Sequence, residues 1–341
     1  MQRFESLTQW LEEYFSNRDF EIEVASSDAS FRRYFRVYHK EDSYIAMDAP
    51  PPHEDVTPFI QVTKLFARSG IHVPEIFAEN IDKGFLLLSD FGRTDYFSEL
   101  NQMRADSLYR DAIDSLLVLQ RNCPENVDLP HYDESLLQRE MVLFSEWYLG
   151  RHLDISLSSD EEQVLEHSFS LLIRNALEQP QVCVHRDYHS RNLMVCEQHN
   201  PGVLDYQDAV WGAISYDLVS LLKDCYIRWP ETQLYGWVGY YYQQARLMGL
   251  LDCDKRQFIE WFDLMGMQRH LKAIGIFARL NYRDNKPGYL KEIPRTVDYL
   301  FSVVEKYPQF GEIKKLLKRH GVRGEMHDSP PTQAVDIKCG R

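Results

Sequence analysis

The 341 residues predict an α+β protein, with a small strand-rich N-terminal lobe followed by a larger, mostly helical C-terminal lobe. Three observations carry that prediction. Apolar residues in the first hundred positions come in short aromatic and β-branched runs, and from about residue 95 their period moves from 2 toward 3.6. One later stretch, 182–209, breaks the helical rhythm with short apolar runs flanking loops dense in polar groups, the pattern of a scaffold that carries functional loops.

The elements follow in order. Phe31–Tyr38 and Ser43–Met47, joined by the polar turn Lys40-Glu41-Asp42, read as a hairpin. Beyond the breaker Pro50-Pro51-Pro52 a helix is predicted over about 56–68, with Gly70 stopping it and Pro74 beyond. Two more strands follow, Ile76–Glu79 and Gly84–Ser89, with a turn at Asp82-Lys83-Gly84. The N-terminal lobe thus covers 1–91 as two strands, a helix and two strands. In the C-terminal lobe, 92–320, Ala105, Leu108, Tyr109, Ala112, Ile113, Leu116 and Leu117 build one apolar helix face. Further helices are expected near 134–149, 160–178, 216–228, 232–248, 255–282 and 290–305. The tail 321–341 lacks apolar period and is expected to be mobile.

Composition narrows the function. With 38 Lys+Arg against 52 Asp+Glu the net charge is −14, which argues against nucleic-acid and membrane-surface partners, since both need a cationic face. The apolar run Phe85-Leu86-Leu87-Leu88 is far below the roughly 20 residues that span a bilayer, and the start MQRFESLTQWLEEYF carries acids where a signal peptide would be apolar. Six cysteines without a C-x-x-C pair fit reduced, mostly buried thiols. These features together predict a cytoplasmic protein, read as a monomer.

The chemistry concentrates in VHRDYHSRN, 184–192, and LDYQDA, 204–209. His185-Arg186-Asp187 with Asn192 five positions on has the H-R-D-x-x-x-x-N spacing of kinase catalytic loops. Phosphoryl transfer asks for a carboxylate that holds and deprotonates the attacking hydroxyl, and for oxygen ligands that fix Mg²⁺ on nucleotide phosphates. Asp187 fits the first role; Asn192 and Asp205 fit the second. A zinc site from His185, His189 and His199 lacks thiolates and a helical i, i+4 frame.

On these residues the chain resembles the aminoglycoside phosphotransferase-like branch of the protein-kinase-like fold, in which V-H-x-D-x-x-x-x-N and I-D-F-x-D-A are joined by a short hairpin. The resemblance implies a bilobal kinase-like fold with the catalytic loop at 185–192, the metal loop at 205–208 and ATP and Mg²⁺ as cofactors. It also implies that His185 and Asp217, the latter in a Y-D-L match at 216–218, support the catalytic loop. Tyr216 follows Asp205 by eleven positions, which leaves no room for an A-P-E-terminated activation segment and makes a protein substrate a poor fit.

By the same resemblance 27–34 takes the place of the phosphate loop, with Ser27, Ala29, Ser30, Phe31, Arg32 and Arg33 as nucleotide contacts. Ser27, Ala29 and Arg32 stand where glycines usually do. Leu88, Asp90 and Phe91 belong to a hinge at 88–92 that would pair with adenine. The third-strand lysine should fall near Met47 and its helix glutamate near Gln61, and neither is present. Phosphate grip must then come from Arg32, Arg33 or Lys64, whose cations could contact phosphate directly.

The acceptor is less legible. Glu146, Trp147, His189, Arg191, Asp208, Arg269, Arg279 and Tyr282 concentrate planar and charged groups suited to a sugar bearing hydroxyls and an anionic substituent. Segments SFRRYFRV, MDAPP, EWYL, GMQRHLKAIGIFARLNYRD and YLKEIPR resemble the bacterial N-acetylmuramate/N-acetylglucosamine anomeric kinases of cell-wall recycling. That likeness implies ATP-dependent phosphorylation of the C1 hydroxyl. Two alternatives stand beside it: an aminoglycoside or other small-alcohol phosphotransferase, and a nucleotide-binding pseudokinase acting as a regulatory module.

Overall fold

The structure is a computed structural model and describes residues 2–27, 31–51 and 53–324. Ala29, Ser30 and the predicted tail beyond 324 lie outside the described residues. Contacts divide the chain into two units. One takes the residues up to Thr94 together with Leu193–Asp208; the other takes Asp95–Asn192 and the residues from Ala209 on.

The first unit opens with α1 (Gln2–Phe15), β1 (Glu21–Ser27), β2 (Arg33–His39), β3 (Asp42–Asp48), α2 (Thr57–Arg68), β4 (Ile76–Asn80) and β5 (Phe85–Ser89). The strands form an antiparallel sheet in the order β1-β2-β3-β5-β4. Side chains two apart on a strand share a face, so Phe35 and Val37, Ala46, and Phe85 and Leu87 line one side of it. There they pack against Leu7, Trp10 and Leu11 of α1. Each such large side chain removed from water is worth about 1.5–3 kcal/mol, and these few fasten the helix. The predicted pattern lacked α1 and β1. β1 reads Glu-Ile-Glu-Val at the sheet edge, with Val24 exposed and a register break between Val24 and Ser26, so its apolar alternation is weak.

The second unit begins with α3 (Tyr96–Glu99), α4 (Ala105–Asn122), α5 (Glu134–Leu143), a π-helical continuation over Phe144–His152, α6 (Ser159–Leu177) and β6 (Gln181–Val184). All seven α4 residues predicted as its apolar face are buried. Ser158 and Glu161 form a reciprocal capping box that fixes where α6 starts.

Strands β7 (Leu193–Met194) and β8 (Gly202–Val203) form the hairpin between the two polar loops. The sequence places this hairpin in the C-terminal lobe, whereas its contacts group it with the first unit. Backbone bonds explain this: Val195 N–H donates to Thr94 O at 2.9 Å and Val203 N–H to His72 O at 2.8 Å. Gly202 lies so close to Phe91 that a Cβ there would sit 2.5 Å from the ring.

The chain completes the second unit with β9 (Val210–Ala213), antiparallel to β6, then α7 (Tyr216–Leu222), α8 (Glu231–Leu247), α9 (Lys255–Tyr282), α10 (Ile293–Lys306) and α11 (Gly311–Arg319). The helix expected over 216–228 ends at Leu222 because Lys223 leaves helical backbone angles, and Asp224 accepts from Tyr226 N–H in a turn. α11 was not predicted, although Ile313, Leu316 and Leu317 bury one stripe of it. The described cysteines are free thiols, Cys123, Cys183 and Cys225 buried among them. No described helix is long and apolar enough to cross a membrane.

α9 carries much of this unit and crosses the start of the π-helical segment at Gly275, where an added Cβ would lie 2.4 Å from the Leu143 carbonyl carbon. Gly275→Ala is expected to push the two backbones apart and lower unfolding free energy by about 1–3 kcal/mol, read from the urea midpoint.

Candidate active site

The chain leaves β6 at Val184 and turns sharply at His185-Arg186, where Arg186 adopts left-handed backbone with φ 77°. A side chain rarely sits there without outside support. The support comes from Asp217, in the first turn of α7: its Oδ2 accepts from His185 N–H at 2.7 Å and its Oδ1 from Arg186 N–H at 3.0 Å. Asp217 is fully buried, and burial pushes its carboxyl up to about 7 against the pull of those two donors. The pairing of β6 with β9 returns the chain to this loop and delivers α7.

The turn aims Asp187. Its N–H donates to His185 Nδ1 at 3.2 Å, which fixes the imidazole proton on Nε2. Its main-chain oxygen accepts from His189 N–H at 2.9 Å and from Asn192 Nδ2 at 3.0 Å. The Asn192 amide nitrogen is thus turned into the loop. Ser190 N–H and Oγ both donate to Asp224, at 3.1 and 2.5 Å, and lock the turn that ends at Asn192.

Charge around Asp187 is unusual for so acidic a protein. Burial alone would raise its carboxyl, but Lys272, His189, Arg269 and Arg186 outweigh burial and hold it below the usual carboxylate range. Glu140 balances Lys272 and Arg186. Lys272 Nζ lies 3.0 Å from Glu140 and 3.1 Å from the Tyr216 hydroxyl, and Arg186 and the Tyr132 hydroxyl both donate to Glu140. Burial disfavours the Glu140 charge, yet Lys272, Arg186 and Tyr132 keep it below its ordinary range. None of Glu140, Lys272 and Tyr132 was singled out from the sequence. Lys272 lies three positions after Arg269 on α9, hence on the same face, and that spacing was the available signal.

Of the predicted acceptor contacts, His189 and Arg269 act on Asp187, and each keeps one buried nitrogen, His189 Nδ1 and Arg269 Nε, without a hydrogen-bond partner among the described residues. Burial pushes His189 down, against the pull of Asp224 and Asp187. The Arg191 guanidinium lies 3.7 Å from the Tyr226 ring centroid and 4.8 Å from that of Phe97. Glu146 and Trp147 sit on the π-helical segment, Glu146 exposed. Tyr282, at the end of α9, meets His152 at 3.1 Å rather than the 185–192 loop. Arg279 keeps its buried Nε without a partner among the described residues.

In the first unit Asp205 also takes left-handed backbone, φ 64°, and accepts from Gln207 Nε2 at 2.8 Å. Asp205 and Asp208 lie close enough to Arg32 to strengthen its hold on its proton. Asp208, expected among acceptor contacts, is thereby grouped with the cation of the predicted phosphate loop. Arg33 pairs with Asp48, which Arg3 also reaches at 2.6 Å. Leu88 is buried in β5, opposite Ile45 of β3. The Asp90 carboxylate is committed to structure: it takes Arg36 at 2.5 and 3.0 Å and Gly92 N–H at 2.9 Å, and these hold it below its usual range against burial. Phe91 packs on His72 at 4.4 Å. Met47, where the third-strand lysine was sought, is fully buried.

An antiparallel sheet leading to helices, with a catalytic-type loop braced by a buried aspartate, defines a phosphotransferase of the protein-kinase-like fold. The chain belongs to the phosphotransferase enzyme family, whose sequence pattern matches residues 21–250. It is 45% identical over 326 residues to an N-acetylmuramate/N-acetylglucosamine kinase of Pseudomonas putida, covering 92% of this chain and 96% of that one. It is 47% identical over 298 residues to a protein of the same name from Pseudomonas aeruginosa, covering 87% and 88%. A choline kinase from Streptococcus pneumoniae shares the fold with TM-score 0.64 at 11% identity, over 89% of this chain and all of that one.

The Asp217 brace is open to direct test. Asp217→Ala strands two N–H groups, each worth about 1–3 kcal/mol, so roughly 2–6 kcal/mol of unfolding free energy should be lost in urea titrations. Asp217→Asn, which keeps one acceptor oxygen, should lose less.

Proposed function

We propose that this chain transfers the γ-phosphoryl group of ATP to the anomeric C1 hydroxyl of N-acetylmuramate and N-acetylglucosamine, giving the sugar 1-phosphate used in cell-wall recycling. The observation that carries the reading is Asp187 on a loop pinned through its own backbone, with its carboxyl held below the usual range by surrounding cations. Family membership and the names of the relatives support the same activity.

Asp187 holds the acceptor hydroxyl and takes its proton. A carboxylate held below its usual range is a weak base, which suits an anomeric hydroxyl, more acidic than an ordinary alcohol. Asn192 and Asp205 would hold Mg²⁺, whose chemistry is to neutralise charge on the nucleotide phosphates. The donors fit: an amide oxygen and a carboxylate are the hard ligands Mg²⁺ takes. Mg²⁺ commonly takes one or two protein oxygens and keeps water and phosphate oxygens as its other ligands. His189 and Arg269, each with a buried nitrogen awaiting a partner, meet the acceptor's polar groups. Reduced thiols and the −14 charge support a cytoplasmic enzyme acting on small molecules as a monomer.

The test combines pure protein, ATP and Mg²⁺ with N-acetylmuramate, N-acetylglucosamine, an aminoglycoside and choline. Transfer to the two N-acetyl sugars is expected; transfer only to the others, or to none, contradicts the assignment. Asp187→Asn should slow transfer by about 10²- to 10⁴-fold while ATP still binds. Because the cations lower the Asp187 pKa, its ionisation should leave the rate flat from neutral pH down to the ordinary aspartate range near about 4. Lys272→Met removes the cation that acts most strongly on Asp187 and should move the acid limb of the pH–rate profile to higher pH.

A further inference from the structure

Glu54, between β3 and α2, is a carboxylate to which no motif gave a role. Its Oε1 accepts from Phe31 N–H at 3.3 Å, and its Oε2 from Arg32 Nε and Nη2, both at 3.1 Å. The two side chains are nearly buried, 12% exposed for Arg32 and 14% for Glu54. Glu54 thus ties down both the backbone and the cation at the described end of the phosphate-loop segment.

The surroundings separate Arg32 from the other cations considered for phosphate grip. Burial works against its charge, but Tyr34, Glu54, Asp205 and Asp208 more than compensate and keep it protonated. Asp205 is the residue of this unit proposed to hold Mg²⁺, and Arg32 lies within reach of its charge. Arg33 is engaged with the buried Asp48, and Lys64 lies on the exposed side of α2. Kinase-like folds use a lysine and a glutamate, one to grip phosphate and the other to hold the gripping cation in place. Met47 and Gln61 supply neither charge.

We infer that Arg32 contacts the nucleotide's β- and γ-phosphates and that Glu54 is the positioning residue that holds its guanidinium for that contact. The planar fork gives bidentate contact to phosphate oxygens that a lysine cannot reproduce. The inference rests on the proposed ATP-dependent activity, and the experiment separates the two.

Titration calorimetry on the full chain compares ATP with AMP, and steady-state assays give KM for ATP and for sugar; unfolding midpoints are recorded for each variant. Arg32→Ala should weaken ATP binding by about ten- to a hundredfold and leave AMP binding within twofold, with sugar KM unchanged. Arg32→Lys, which keeps charge and most of the packing, should fall between. Glu54→Gln should raise KM for ATP by a smaller factor, and should add nothing in the Arg32→Ala background. Equal loss of ATP and AMP affinity, or an unchanged ATP affinity, overturns the inference and leaves Arg32 a structural staple. If the unaltered chain prefers ATP through Arg32 but transfers phosphate to no sugar, the inference stands and the proposed acceptor falls. If it binds neither nucleotide, both fall.

Discussion

One buried carboxylate governs the loop at 185–192. Asp217 takes the peptide N–H groups of two consecutive residues and so makes a left-handed turn at Arg186 tolerable. Without that brace Asp187 would have no fixed direction, because its own loop contacts begin from the turn: N–H to His185, oxygen to His189 and Asn192. The constraint reaches outward as well. A fully buried acid is costly unless its lone pairs are satisfied, which ties the β6–β9 pairing and the start of α7 to the loop's conformation.

The second determinant is the distribution of charge. The chain carries −14 overall, yet Arg186, Arg269 and Lys272 surround Asp187, with Glu140 as the counter-charge that makes their burial bearable. In the other unit Arg32 stands among Glu54, Asp205 and Asp208. A protein that repels a polyanionic substrate at long range needs a few placed cations at short range. The excess acid elsewhere does not compete with them, because exposed charges more than about 8–10 Å away are largely screened by salt.

The legibility of these features in the sequence follows the range over which each is specified. His185, Asp187, Asn192 and Asp205 stand out because the chemistry requires those residue types at short, contiguous spacing. The two hairpins, α2 and α4 were readable because their apolar period is local. Glu140 was not, since its partners are 46 and 132 positions away, at Arg186 and Lys272. Glu54 was hidden for the same reason: its value depends on a fold that brings it against Arg32, 22 positions earlier. Asp90 fell in the hinge by position, yet its side chain is locked on Arg36, a contact visible only once β2 and β5 are folded into one sheet. Trp147 and Tyr282 read as sugar platforms by composition, whereas Tyr282 pairs with His152 in the structure.

The central claim is that phosphate passes from ATP directly to an anomeric hydroxyl deprotonated by Asp187. The measurement that meets it most directly is the position of the phosphate in the product, read by ³¹P NMR with N-acetylmuramate labelled with ¹³C at C1. The account predicts a new phosphate resonance coupled to the labelled carbon, formed by the unaltered chain and lost with Asp187→Asn. Phosphate on any other hydroxyl, release of inorganic phosphate alone, or undiminished product from the Asp187→Asn chain would contradict it.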